Sequence, residues 1–370
     1  MPFQSSARET GTEVSQHPLR VAIVAPRIQH LIGGQEVQAD LLLRLWRNDP
    51  EVRVSYLASN PELPPWLESV RYVRTMVRFP RYLAHLIAGL RDADVVHVFS
   101  TSFSGFVISV VPAYCVGRFL GKKVLINYRS GLARNHLSAS ALARSILRSA
   151  DKVVVPSSYL VGAFHEFQIA AEAIPNVVDT GIFSYRSRSP LRPLLLCSRN
   201  LEECYGIDLV VRAFAEVQKA FPEARLFLLG EGSRENAIRR LIADPNVKGV
   251  EMPGRIPREH IAEFYNKADI LINASRVDNM PVSVLEAFAS GLPVVSSNAG
   301  GIPTIVRHEE TGLLSDTEDW KGLAANVIRL LEDPALAKRL TENAYRQSLT
   351  YHWENVRDQW VRSYQELARQ

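Results

Sequence analysis

A chain of 370 residues, 46% hydrophobic and 22% charged, has an ordinary globular composition and the length for two domains. Its 43 Lys and Arg against 39 Asp and Glu leave a formal charge of only +4, and no aromatic platform is interleaved with the basic residues, so nucleic acid is not expected as a partner. Cys115, Cys197 and Cys204 make no CxxC pair and have no His-rich spacing, which argues against a zinc site or disulfide framework and fits a reducing cytoplasm.

In chain order, residues 1–19 are polar, lack an apolar signal core and read as a disordered tail. RVAIVAP (20–26) reads as a buried strand, followed by a Gly33–Gly34 loop and the amphipathic helix VQADLLLRLWRN. Further strands are expected at 52–59, 94–100, 123–128 and 152–157. The apolar run Val95–Val116 is interrupted by Ser100, Thr101, Ser102, Ser104 and Gly105, so it reads as a strand and a helix rather than a membrane span. A charged, proline-bearing stretch at 183–193 separates a second series: strands at 191–200, 224–232, 246–254, 269–275 and 292–301, with a helix at 208–221. Strands each followed by a helix predict α/β architecture with two doubly wound, Rossmann-like domains, at 20–185 and 186–350. An amphipathic C-terminal helix within 351–370 is expected to pack back on the first domain.

No Asp or Glu occurs between Val95 and Ala150, whereas Arg118, Lys122, Lys123, Arg129, Arg134, Arg144 and Arg148 do, with Arg71, Arg74, Arg78 and Arg81 upstream. This reads either as a solvated basic face or as a surface for phosphates, those of an anionic membrane or of a lipid-phosphate acceptor.

The segment Ala274–Gly301 carries the chemistry. Asp278 and Glu286 are separated by seven residues and followed by Gly-Leu-Pro-Val-Val and Gly300–Gly301. It resembles the signature of retaining glycosyltransferases of family 4, with the GT-B architecture, and the resemblance runs from Gly33 to the C-terminal helices. It implies Glu286 on the ribose hydroxyls of a nucleotide-sugar donor, and Asp278 near hydroxyls of the transferred sugar. It puts Asn279, Met280, Pro281, Val282 and Leu285 along the sugar and phosphates, beside the free N–H groups of a helix start. Asp278 stands where the family more often has Glu.

The same resemblance makes Arg199 a clamp on the diphosphate, while the family's Lys six residues later is here Tyr205. Gly33 and Gly34 become the loop touching donor phosphates across the cleft; as a bare Gly-Gly they also suit an ordinary helix entry. Gly232, Arg255 and Ile256 fall where the family passes the nucleotide and base, or are ordinary strand-to-helix turns. Arg129 occupies the place of a family His that contacts the donor sugar, and an arginine there suits a phosphate or an anionic sugar or acceptor. His97, inside a strand, reads as a core residue.

Asp278, Arg199 and Arg129 are thus the candidate catalytic residues. The implied reaction is transfer from a nucleoside-diphosphate sugar to a glycan or lipid-linked hydroxyl with retention of configuration, independent of metal and of any cofactor. A cytoplasmic enzyme is expected, with the inner membrane face as a second location. The architecture also carries nucleotide-sugar epimerases and phosphorylases, though no cofactor-lysine motif of a phosphorylase is found. The absent Lys and His leave a non-catalytic sugar-nucleotide binder as a further alternative.

Overall fold

The computed structural model describes residues 17–27, 33–64, 66 and 71–370, with 71–75 as backbone only. Most of the expected N-terminal tail, Leu31 and Ile32, and the side chains of Arg71 and Arg74 lie outside the described residues.

Among the described residues the strands form two six-stranded sheets. The first holds β1 (Leu19–Ala25), β2 (Val52–Ala58), β3 (Val95–Ser100), β4 (Lys123–Tyr128), β5 (Lys152–Val155) and β6 (Glu172–Ala173), in the order β2-β1-β3-β4-β5-β6. The second holds β7 (Leu194–Ser198), β8 (Arg225–Leu229), β9 (Val250–Gly254), β10 (Ile270–Asn273), β11 (Val294–Ser297) and β12 (Leu313–Ser315), in the order β12-β11-β10-β7-β8-β9. Every pairing between these strands is parallel. Parallel strands covered on both faces need apolar residues at successive positions, and β3, VVHVFS, is buried at all six.

The helices that matter here are α1 (Gly34–Leu45), α2 (Arg71–Gly89), α3 (Val111–Phe119), α4 (Ile207–Ala220), α5 (Val282–Ser290), α6 (Trp320–Glu332), α7 (Pro334–Ser348) and α8 (Trp353–Arg369). In the first sheet, Tyr82, Leu86 and Ala113 of α2 and α3 cover one face. Leu41 and Leu42 of α1 with Val356, Trp360 and Leu367 of α8 cover the other. Trp46 and Trp353 meet edge to face at 4.7 Å, so the last helix of the chain completes the layer over the first sheet. In the second sheet, Val210 and Phe214 of α4 pack with Val327 of α6 on one face, and Val284 and Phe288 of α5 with Ala344 of α7 on the other.

His97 is fully buried on β3, stacked on Phe99 at 5.0 Å and Trp360 at 4.8 Å. Asn127 Nδ2 lies 3.1 Å from its Nε2 and Tyr364 Oη 2.8 Å from its Nδ1. Burial pushes its pKa down to about 3, with the Arg129 charge adding to that, so it is a neutral core residue. The acid-free stretch after Val95 is not an acid-free surface. Arg118 pairs with Asp151 at 3.0 Å and Arg134 with Glu166 at 2.7 Å, both acids coming from later in the chain.

Candidate functional site

In an open parallel sheet the crevice lies beyond the carboxyl ends of the strands, where the strand order reverses. The first sheet reverses between β1 and β3, the second between β7 and β10. The two reversal points face each other. At the first, α1 starts at Gly34, and Gln35 Nε2 donates to Ser100 O at the end of β3 (2.6 Å). At the second, Arg199 leaves β7 and the loop carrying Asp278 leaves β10. A Cβ on Gly34 would lie 3.6 Å from Val282 Cγ2, so the starts of α1 and α5 meet across the gap. Neither N-cap residue supplies a side-chain cap. At α1 the Glu36 carboxylate, its pKa raised by burial, takes the N–H groups of Gly33 and Glu36, while the start of α5 leaves backbone N–H groups directed into the cleft.

The cleft has a volume of about 520 Å³, within the range of small-ligand sites. Of the residues singled out from the sequence, Gly33, Gly34, Arg199, Tyr205, Arg255, Ile256, Val282 and Glu286 line it. Gly232, Asn279, Met280, Pro281 and Leu285 do not, and neither do Asp278 and Arg129. Leu285 is core, with no exposed surface. Gly232 packs against Leu201 O, where a Cβ would lie 2.5 Å away.

Arg199 lies over the Tyr205 ring at 4.0 Å and ion-pairs with Asp278. Asp278 also accepts from Ser275 Oγ (3.2 Å) and from the N–H of Asn279 (2.8 Å). Burial alone would lower the Arg199 pKa, but the Asp278 carboxylate, with smaller contributions from Tyr205, Cys197 and Cys204, turns the net direction upward. Two glycines make this approach possible. Gly230 has φ +134°, and a Cβ there would collide with Arg199 O; Gly300 has φ +54°, and a Cβ there would collide with Asp278 O. Gly301 N–H donates to the same Asp278 oxygen at 3.0 Å. The Gly300–Gly301 pair therefore clamps the acidic loop in place.

Glu286 is the buried carboxylate of an otherwise apolar helix. Pro281 sets the backbone entering α5, and Gly291 (φ +70°) ends the helix in the left-handed conformation. The Glu286 side chain is 4% exposed, so its charge requires partners. Arg258 Nη1 donates to Oε1 at 2.5 Å and Tyr265 Oη to Oε2 at 2.6 Å. Arg258, which also lines the cleft, lies over the Phe183 ring at 5.0 Å. Desolvation opposes its charge, but Glu286 outweighs it and raises its pKa. Sequence reasoning missed both partners. Arg258, in PREH, looks like any surface arginine, and Tyr265 like any helix aromatic. A carboxylate has four lone-pair sites, so Glu286 retains acceptor capacity toward the cleft.

Arg129 follows β4 in the first unit. Its Nη2 donates to Asn176 Oδ1, and it lies 5.2 Å from the centroid of the Phe99 ring. Asn176 reaches the second sheet's loop, where its Nδ2 donates to Met280 O at 2.8 Å. Among the described residues no group of three or more His, Cys, Asp or Glu is placed to hold a metal ion, and no helix is long and apolar enough to cross a membrane.

Two Rossmann-like units facing a cleft across their reversal points define the GT-B class. The profile described as glycosyl transferases group 1 matches residues 186–347, and that described as glycosyltransferase family 4 matches residues 29–181. The chain belongs to the family 4 glycosyltransferases. It is 23% identical to the N-acetyl-alpha-D-glucosaminyl L-malate synthase of Bacillus anthracis over 76% of this chain and 77% of that one. It is 32% identical to the D-inositol 3-phosphate glycosyltransferase of Acidothermus cellulolyticus over 57% of this chain and 52% of the relative. The chain spans about half the length of several of the curated relatives it matches, and 21% of one. Anabaena HepE, solved in complex with UDP-glucose, superposes with a TM-score of 0.76 at 15% identity, over 94% of this chain and all of that one.

Proposed function

We propose that the chain transfers a glycosyl group from a nucleoside-diphosphate sugar to a hydroxyl of a glycan or lipid-linked acceptor, with retention of anomeric configuration and without a metal ion. The observation that carries this reading is the convergence, in one cleft, of two helix starts, three arginines and the buried carboxylate of Glu286. The helix starts suit a diphosphate, and the free lone pairs of Glu286 suit ribose hydroxyls. Similarity to relatives named for glycosyl transfer favours transfer over isomerisation.

In this reaction the bond from the anomeric carbon to the leaving phosphate oxygen breaks, and a bond to the acceptor oxygen forms on the same face. The acceptor's proton passes to a leaving-group phosphate oxygen, so no separate base is needed. The developing charge on the diphosphate is met by α1 and α5 N–H groups and by arginines. Arg199 and Arg258 bring their own counter-ions, Asp278 and Glu286. Arg255, exposed at the cleft, makes no direct ion pair among the described residues, and the acid its charge acts on is Glu36 at the start of α1. It takes the place of the second cation that Tyr205 cannot supply. Asp278 serves through Arg199, holding the guanidinium, and reaches the sugar only from that paired position.

The reading includes a cytoplasmic enzyme working at the inner membrane face. Met76, Val77 and Phe79 of α2, with Val107 and Ile108 after β3, are exposed apolar residues. Tyr82 Oη donates to Ser109 O at 2.7 Å and holds the two segments together. Arg81 and the basic residues of the first unit suit anionic headgroups. Co-sedimentation with phosphatidylglycerol vesicles is expected, weakened by Met76→Glu; absence of binding at low salt would remove this part.

The test of the main proposal is a panel of nucleotide sugars, followed by calorimetry and by nucleotide release with glycan and polyprenyl-linked acceptors. A donor that binds and a glycosylated acceptor are the expected outcome. Failure of every donor to bind would sink the reading, and an isomeric nucleotide sugar formed without acceptor would make the chain an epimerase.

A further inference from the structure

Apart from Arg144, which bonds two backbone carbonyls at the surface, arginines drawn into the body of this protein bring a carboxylate with them. Arg199 has Asp278, Arg258 has Glu286, Arg276 has Asp208 at 2.9 Å and Arg357 has Asp49 at 2.6 Å. Even Arg188, held by five carbonyl hydrogen bonds, lies 3.6 Å from Asp269. Arg129 breaks the pattern. Among the described residues its side chain makes one hydrogen bond, to the neutral amide of Asn176, and one ring contact, with Phe99. Its pKa is pushed down to about 9 by desolvation, with no acid acting against it. A desolvated charge left without a counter-ion is destabilising, so the fold carries it at a cost.

Its place gives that cost a use. Arg129 N–H donates to Ser100 O at 3.3 Å, at the same reversal point that α1 reaches through Gln35. Asn176, which holds its guanidinium, bonds to Met280 on the opposite unit. Arg129 is therefore at the junction of the two units, yet it is not among the residues lining the cleft that suits the diphosphate. Charge at that position serves a second negative group, separate from the diphosphate. We propose that Arg129 selects substrates bearing an additional carboxylate or phosphate, carried either by the transferred sugar or by the acceptor. This deepens the proposed function and rests on it.

Two binding arms distinguish the sources. In the donor arm, UDP-glucose is compared with UDP-glucuronate, the same sugar with a carboxylate. In the acceptor arm, protein saturated with UDP is titrated with glucose and with glucose 6-phosphate. The wild type is expected to bind the anionic member at least tenfold more tightly in one arm, and that arm names the source. Arg129→Met is expected to bring the ratio to within about twofold of unity, and Arg129→Lys to restore part of it. Should Arg129→Met not fold, Arg129→Gln, which can keep the Asn176 hydrogen bond, carries the same comparison. A wild-type ratio near one in both arms, or a ratio that survives loss of the guanidinium, would overturn the inference while leaving donor binding intact. Failure of every nucleoside diphosphate to bind would overturn both the inference and the function on which it rests.

Discussion

Replacing Glu286 by Gln separates a structural role from a binding role. The substitution keeps the shape and removes the charge of a side chain that is 4% exposed and bonded to Arg258 at 2.5 Å and Tyr265 at 2.6 Å. Arg258, 13% exposed, is left half-satisfied. A hydrogen bond to a charged group contributes about 1.5–3 kcal/mol, and breaking a buried pair outright costs about 3–5 kcal/mol. The retained amide oxygen puts the expected loss near 2–3 kcal/mol. At about 2–4 °C per kcal/mol for a domain of 150–250 residues, the thermal midpoint should fall by roughly 4–12 °C. If the same carboxylate accepts from ribose hydroxyls, donor affinity should fall about 10- to 100-fold, since each tenfold is about 1.4 kcal/mol. The double variant Glu286→Gln with Arg258→Gln removes the orphaned cation, so most of the stability should return while donor affinity stays low. Calorimetry and thermal melts on the four proteins of this cycle decide it. Wild-type donor affinity in the single variant, or recovery of affinity together with stability in the double one, would refute the reasoning.

Other consequences follow from the same geometry. Transfer should persist in excess chelator, and magnetic resonance of the product should show the donor's anomeric configuration; loss of activity restored by a divalent cation, or the opposite anomer, would contradict the proposed chemistry. Gly230→Ala places a Cβ at φ +134° against Arg199 O, so it should lower the thermal midpoint and weaken donor binding at least tenfold by displacing Arg199; an unaffected midpoint would show that the strand end can relax. His97, whose pKa burial holds near 3, takes up its proton in the unfolded chain first. Its stabilising contribution is complete above the ordinary histidine value and is lost as pH falls from about 6.5 towards 3, at up to about 1.4 kcal/mol per pH unit. Urea midpoints should therefore fall less steeply with acid in His97→Phe than in the wild type, and equal slopes would exclude the residue as the source.

The strands were readable because parallel strands covered on both faces must be apolar at consecutive positions, as in RVAIVAP and KVLINY. The exceptions are physical. β6 and β12, two and three residues long, are too short to carry a pattern, and α1 begins at Gly34 although glycines signal a loop. In the site, Asp278, Glu286 and Gly300–Gly301 lie within one continuous segment and could be read together. Their partners could not. Arg199 is 79 residues from Asp278, and Arg258 is 28 residues from Glu286, so only the crossing of β7 with β10 and the packing of α5 join them. The net charge of the basic stretch is overstated by the sequence for the same reason, because Asp151 and Glu166 answer Arg118 and Arg134 from beyond its end.

The most direct measurement is a crystal structure with the donor selected from the panel. The diphosphate should lie between the start of α1 at Gly33–Gly34 and the start of α5 at Val282, with Arg199 and Arg255 on its oxygens and the ribose on Glu286. A nucleotide bound outside this cleft, or one whose ribose does not touch Glu286, would contradict the account.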